Sequence, residues 1–239
     1  VIAAAGSGQR LGAGGPKAFV PLAGRAMVEW SIAACRAAPS VRSIVVACPP
    51  GHAHDLAGGD VGVVDGGATR AESVSNALAA VGTELVAIHD AARPLVTPEL
   101  IEEVVATLVA NPEAGGAIAA TPVTNTIKQA VASSDRAPDG CNALRPQQDQ
   151  KTLRLVERTL ERERLWAAQT PQVFRVEALR EALAAEPEQL QAATDEAMMV
   201  EAAGGRVLIH PSPAENLKVT TPLDLKLAEL LLTERAAGA

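Results

Sequence analysis

Short apolar runs rich in β-branched residues recur along the chain, and between them apolar residues return every three or four positions. The runs predict strands at 1–5, 43–48, 61–64, 85–89, 116–120 and 206–210. The helical periods predict helices at 26–38, 71–81, 98–110, 176–185, 195–203 and 222–233. Val-Ile-Ala-Ala-Ala at the start has no polar interruption, the pattern of a strand covered on both faces. Alternating strands and helices imply a mostly parallel sheet with helices on both sides. Right-handed crossovers then gather the loops at the strand C-termini along one edge, where ligands bind in this architecture.

One stretch breaks the rhythm. Residues 129–150 are polar and punctuated by proline and glycine, which predicts a protruding loop or arm. A charged helical segment is expected at 151–164, leading into Trp166. There is no internal repeat and no second hydrophobic core, so the expectation is a single domain over 1–239 carrying an arm at about 124–165.

Composition narrows the function. The 239 residues are 48% hydrophobic and 21% charged, ordinary for a globular protein and incompatible with bulk disorder. No apolar run approaches the roughly twenty residues that cross a bilayer. A net charge of −7 argues against a general nucleic-acid binder, which needs a basic surface. Aromatics at 2%, with no tyrosine, leave few platforms for base stacking. Any anionic ligand must be met by local cations. Cys35, Cys48 and Cys141 form no Cys-x-x-Cys pair and no disulfide framework, which fits a reducing cytoplasm. No signal peptide is read, and the chain starts in a strand without an initiator methionine, which leaves room for residues before Val1.

The first strand runs into Gly6-Ser-Gly8-Gln-Arg10-Leu, with Pro16-Lys17 shortly after. Gly6 and Gly8 let the backbone approach a ligand and turn successive N–H groups toward phosphate oxygens. Arg10 offers a planar fork to phosphate, and Lys17 a mobile point charge for negative charge developing at an attacked phosphoryl centre. A dinucleotide fingerprint would need a third glycine at Leu11, and a P-loop would need Gly-Lys-Ser/Thr where Pro16-Lys17-Ala18 stands. A merely flexible loop would account for the glycines but not for the two cations.

Other constellations stand at predicted strand ends. His89-Asp90-Ala91-Ala92-Arg93-Pro94 places Asp90 where a carboxylate can take a sugar hydroxyl or a metal-phosphate, and Arg93 where it can take a second phosphate; a local Asp90 to Arg93 turn pairing is the alternative. Gly66-Gly67-Ala68-Thr69-Arg70-Ala71-Glu72-Ser73 suggests close backbone approach with a Ser73 hydroxyl contact, or an ordinary helix entry capped by Thr69. Thr194-Asp195-Glu196 reads equally as a cap with Thr194 at its head. Lys218 falls in a strand-like segment before a helix start at Thr221-Pro222. His52, His54 and Asp55 lack the further ligands of a metal site and read as a solvated loop.

Taken in order, the Gly-x-Gly-x-Arg-Leu and Pro16-Lys17 blocks, Gly66-Gly67 with Arg70 and Ser73, His89 to Pro94, Pro122-Val-Thr-Asn-Thr-Ile-Lys128, Gln169-Thr-Pro-Gln172, Thr194-Asp-Glu-Ala197 and Asn216-Leu-Lys-Val-Thr220 resemble one family over nearly the whole chain. It is the 2-C-methyl-D-erythritol 4-phosphate cytidylyltransferases of the non-mevalonate route to isoprenoid precursors. The resemblance implies a three-layer, Rossmann-like α/β fold of the nucleotide-diphospho-sugar transferase type with a dimerisation arm. It also implies CTP and a polyol phosphate as substrates, with Mg²⁺ held mainly by the CTP phosphates rather than by protein ligands. On matching positions it implies catalytic roles for Arg10, Lys17, Arg162 and Lys218. Nucleotide contacts would come from Ala3, Ala4, Ala5, Gly6, Gly8, Gly67, Ala68, Ser73 and Ala91, and acceptor contacts from Asp90, Arg93, Thr126, Thr170 and Thr194. A homodimer through the arm is implied, with Thr126 and Arg162 serving the neighbour's site. Ala3, Ala68 and Asn125 depart from the family's usual proline, acidic residue and aspartate. The arm is longer than usual, so Arg162 is placed by Thr159-Leu-Glu-Arg162, with Arg164 the alternative. Another polyol phosphate, such as ribitol 5-phosphate, and a non-catalytic nucleotide-binding protein are the competing readings.

Overall fold

Apolar runs that are covered on two sides become neighbouring strands in the computed structural model, which describes residues 1–6, 8, 11, 15–52, 56, 61–131 and 154–237. The chain divides into two compact units, one of 1–121 with 168–239 and one of 122–167. In the first unit, β1 (Ile2–Ala3) is followed by a tight hairpin of β2 (Pro21–Leu22) and β3 (Arg25–Ala26) and by α1 (Met27–Ala37). Then come β4 (Ile44–Cys48), β5 (Val61–Asp65), α2 (Arg70–Leu78), β6 (Leu85–Asp90), α3 (Pro98–Val109) and β7 (Gly116–Pro122). After the second unit's β8 (Lys128–Ala130) and β9 (Val156–Thr159), the first unit resumes in β10 (Trp166–Arg175). It continues with α4 (Val176–Leu183), α5 (Pro187–Ala192), α6 (Glu196–Ala202), β11 (Val207–Pro211) and α7 (Pro222–Ala237).

Seven strands form one sheet in the order β11-β7-β10-β6-β1-β4-β5. β1 lies parallel between β4 and β6, pairing Ala3 with Ala47 on one side and with Asp90 on the other. β5 and β11 also pair in parallel with their neighbours, while β10 runs antiparallel to β6. Along β4, Ile44, Val46 and Cys48 pack with Val28 and Ile32 of α1, whereas Val45 and Ala47 pack with Ala77 of α2. On β10, Val173 joins the α3 side and Phe174 the side of α2, α4 and α6. This period-two partition gives three layers, and it is why these strands read as continuous apolar runs. Thr69 caps α2 by accepting from Glu72 N at 3.1 Å, and Thr97 caps α3 with Pro98 at the first turn.

Three expectations are corrected. β10 was absent from the predicted strands, because Gln169, Thr170, Pro171 and Gln172 interrupt its apolar pattern. The charged segment at 151–164 is not a helix in its described part: Val156–Thr159 is a strand paired antiparallel with Lys128–Ala130, and Arg162–Arg164 is a single 3-10 turn. Strand β8 also extends over Gln129, where a loop was expected. The rest of the expected loop, 132–150, and the first three residues of the expected helical segment lie outside the described residues.

Candidate active site

The C-terminal ends of β1 and β6 lie side by side, and the loops leaving β1 and β5 rise next to them. They surround a cavity of about 680 Å³. Its lining includes Ala3, Ala4, Ala5, Gly6, Gly8, Gly67, Ala68, Ser73 and Ala91, the complete set expected around the nucleotide, together with Lys17, Asp90 and Lys218 from the catalytic and acceptor sets. Arg70 and Thr220 line it as well. Arg10 lies outside the described residues, as do His54 and Asp55; His52 stacks on Phe19 at 5.4 Å between ring centroids.

The glycine loop is folded onto the lysine that follows it. Gly8 has φ +67, and a Cβ there would fall 2.7 Å from Lys17 Cβ and 3.1 Å from its Cα and N. Lys17 N also donates to Gly6 O at 3.3 Å. Only glycine permits both the backbone angle and the contact. The second glycine pair abuts the first loop: a Cβ at Gly66 would lie 2.4 Å from Ala5 Cβ, and Gly66 N donates to Cys48 O at 2.6 Å. Ser73 Oγ accepts from Gly67 N at 3.0 Å and donates to Thr69 O at 2.8 Å, so this hydroxyl braces the loop as well as facing the cavity.

Charge at the far side of the cavity is arranged in a row. Arg70, in the first turn of α2, reaches Asp90 Oδ1 from Nε at 3.2 Å and from Nη2 at 3.1 Å, and its Nη1 pairs with Glu196 Oε2 of α6. Lys218 Nζ sits 2.6 Å from Asp90 Oδ2. Burial alone would push the Asp90 carboxyl up, but Arg70 and then Lys218 outweigh it and hold the group well below the usual carboxylate range. Burial raises Glu196 despite its Arg70 partner. Lys218 itself lies in irregular chain, not in the strand its apolar neighbours suggested.

Three expected acceptor contacts sit elsewhere in the first unit. Arg93 is buried and donates to Asn216 O at 2.8 Å and Ala168 O at 3.2 Å, which ties the chain after β6 to two other segments. Its link to Asp90 is the backbone turn from Arg93 N to Asp90 O at 2.9 Å, not a side-chain pair. Thr170 Oγ1 accepts from Asp90 N at 3.1 Å and donates to His89 Nδ1 at 3.0 Å, while His89 Nε2 faces Arg93 O at 3.2 Å. Burial pushes the pKa of His89 down to about 4, so the ring is neutral near pH 7, and its Nε2, facing a carbonyl, then carries the proton. Thr194 is exposed, and the cap of α6 is Asp195, which accepts from Met198 N at 3.0 Å. Thr126 and Arg162 belong to the second unit, where Arg162 Nη1 donates to Thr124 O at 3.0 Å. Arg70 and Glu196 were not assigned as site residues. Their only local signal is an arginine after a glycine pair and a glutamate at a helix start.

Mg²⁺ prefers oxygen ligands, usually one or two carboxylates plus substrate phosphates. Among the described residues no group of three His, Cys, Asp or Glu could hold a metal. Asp90 is the one carboxylate among the described residues of the cavity lining, and both of its oxygens are in ion pairs. These residues fit a metal brought in on a triphosphate better than one seated on the protein.

A glycine loop on β1, a lysine folded against it, and a neighbouring acid and base at the C-terminal edge of a doubly covered sheet define a nucleotidyltransferase. The chain belongs to the 2-C-methyl-D-erythritol 4-phosphate cytidylyltransferase family, whose profile matches residues 1–234. It is similar to the protein of that name from Gloeobacter violaceus, 39% identical over 242 residues that cover 97% of this chain and 94% of that one. The Deinococcus radiodurans protein of the same name is 43% identical over 232 residues, covering 97% and 88%. The crystal structure of the Thermus thermophilus 2-C-methyl-D-erythritol 4-phosphate cytidylyltransferase superposes with a TM-score of 0.72 at 34% identity, covering 97% of each chain.

Proposed function

We propose that this protein transfers the cytidylyl group of CTP to 2-C-methyl-D-erythritol 4-phosphate. An oxygen of the acceptor phosphate attacks the α-phosphorus in line, the bond from that phosphorus to the bridging oxygen breaks, and pyrophosphate leaves. The products are 4-CDP-2-C-methyl-D-erythritol and pyrophosphate. The observation that carries this reading is the single cavity in which Lys17, seated on Gly8, shares the lining with both glycine loops and with the Asp90 and Lys218 pair. Lys17 and Arg10 stabilise charge on the transferring phosphate, while Lys218 and Arg162 orient the acceptor phosphate. No covalent enzyme intermediate is required, since positioning and electrostatics suffice for phosphoryl chemistry of this kind. Mg²⁺ held by the CTP phosphates would neutralise part of their charge.

The same reading makes the protein a cytoplasmic homodimer through the arm at about 124–165, with Thr126 and Arg162 serving the partner's site. No described helix is long and apolar enough to cross a membrane. The test is pyrophosphate release from each of the four nucleoside triphosphates against a panel of acceptors that includes ribitol 5-phosphate. Release with CTP and methylerythritol phosphate above all other pairs is expected. A folded sample that releases none with that pair overturns the reading.

A further inference from the structure

The four charges on the acceptor side of the cavity differ in exposure in a way that assigns them different work. Side-chain exposure is 1% at Glu196, 27% at Arg70, 10% at Asp90 and 43% at Lys218, so the row has a buried end at Glu196 and an exposed end at Lys218. Signs alternate along it. Lys218 is the exposed end and carries one contact to Asp90, whereas Arg70 holds Asp90 through two nitrogens and is itself anchored by a buried carboxylate from another helix. An arriving phosphate can therefore draw away Lys218 and cannot readily draw away Arg70. If Asp90 lost Lys218 with no second cation beside it, a largely buried carboxylate would be left uncompensated, which is costly.

We propose that Arg70 is a positioning residue that fixes the Asp90 carboxylate and balances its charge when Lys218 turns from Asp90 to the acceptor phosphate. The inference rests on the reading of Lys218 given under Proposed function. Arg70 also follows directly on the loop of Gly67 and Ala68, so one side chain ties the nucleotide side of the cavity to the acceptor side. The charged and titratable groups around Asp90 are Arg70 from α2, Lys218 from the segment before α7, Arg93 from the turn after β6, Glu196 from α6 and His89 on its own strand.

Removing Arg70 alone would strand Glu196 in the interior and risk unfolding. The test therefore uses the double variant Arg70→Gln/Glu196→Gln, with Glu196→Gln and Arg70→Lys alongside and thermal melting to establish folding. Losing charge-assisted bonds to Asp90 is expected to raise the acceptor KM about tenfold or more in the double variant while the CTP KM stays within about threefold. Glu196→Gln gives a smaller rise, and Arg70→Lys falls between wild type and the double variant. In ligand-free protein labelled with carbon-13, the Asp90 carboxyl titration moves upward in the double variant. That measurement needs no substrate, so it judges the role of Arg70 even if wild type proves inactive with CTP and methylerythritol phosphate, an outcome that would sink the functional reading instead. An unchanged acceptor KM in the folded double variant, or an unmoved Asp90 titration, overturns the assignment.

Discussion

Gly8→Ala isolates the contact that seats Lys17. The substitution carries two separable costs. Holding alanine at φ +67 costs about 1–2 kcal/mol, since a left-handed backbone crowds any Cβ. The new methyl would also stand 2.7 Å from Lys17 Cβ and 3.1 Å from two Lys17 backbone atoms, against an ordinary carbon separation of about 3.5–4.0 Å. Backbone cannot step aside as a side-chain tip does, so the loop and Lys17 must part by on the order of 1 Å, a displacement that in an active site costs about a hundredfold in rate. Gly24→Ala is the control. Gly24 has φ +84 in the β2–β3 turn, but no atom lies within 4 Å of a Cβ placed there. It bears the backbone cost without moving anything. Pyrophosphate release at saturating CTP and acceptor should fall about a hundredfold in Gly8→Ala and stay near wild type in Gly24→Ala, with Gly24→Ala destabilised by about 1–2 kcal/mol in urea and Gly8→Ala by at least as much. Turnover in Gly8→Ala within a few-fold of Gly24→Ala would refute the claim that this contact positions the lysine.

Lys17→Ala should lower kcat by at least about a hundredfold with only a modest change in CTP binding by calorimetry, as for a group whose contact strengthens in the transition state; equal losses in both would make it a ground-state contact. Burial holds His89 neutral with a pKa of about 4, below the unfolded value of about 6.5, so the unfolded chain binds more protons between these limits and stability rises with pH across that window. Urea unfolding of wild type should therefore lose roughly 3 kcal/mol on acidification from pH 6.5 to 4, and His89→Asn should lose clearly less; parallel slopes would show that another group carries the effect. Asp224 accepts from Thr220 N, Thr220 Oγ1 and Thr221 N at the start of α7, and these bonds lower its pKa to about 2. Its contribution, much of it screened by solvent, is present above the ordinary carboxylate range and fades as pH falls toward 2, so Asp224→Asn should cost about 0.5–1 kcal/mol near neutrality and less in acid, read by thermal melting at both pH values.

Strands β1, β4, β6 and β7, inside the sheet, were legible because strands covered on both faces must be apolar throughout, and the partly exposed edge strands β5 and β11 because short runs rich in valine, leucine and isoleucine mark a strand; both are local properties. β10 was not, because part of its interior is held by hydrogen bonds instead of methyl groups. Gln169 Oε1 accepts from Ser212 Oγ at 2.9 Å and from Asn216 Nδ2 at 2.8 Å, and Gln172 Nε2 donates to Asp195 Oδ2 at 2.9 Å. Partners 23 to 47 residues away leave no period in the strand itself. The β9 segment failed for a related reason. Glutamate, arginine and leucine suit an isolated helix, but Arg158 Nε pairs across strands with Gln129 Oε1 at 2.9 Å, and Gln129 Nε2 with Glu157 at 3.1 Å.

The candidate site divides along the same line. Glycines at a strand end announce themselves, since a loop that must approach a ligand and a neighbouring loop has few other residues to use. Polar residue type by itself could not separate Asp90 from Arg93. Asp90 ends β6, Arg93 lies three residues on and both are buried, yet one faces the cavity and the other fastens the backbone at Asn216 and Ala168. Nor could it find the pairing of Arg70 with Glu196, 126 residues apart. That pairing answers a constraint visible from composition. A chain with net charge −7 that takes up a triphosphate and a second phosphate must concentrate cations locally. Cations gathered without anions beside them would repel one another in the empty protein, and interleaved carboxylates remove that repulsion. The acids at Asp90 and Glu196 thus let Arg70 and Lys218 stand together before any substrate arrives, and the entering phosphate need only displace the outermost contact in the row.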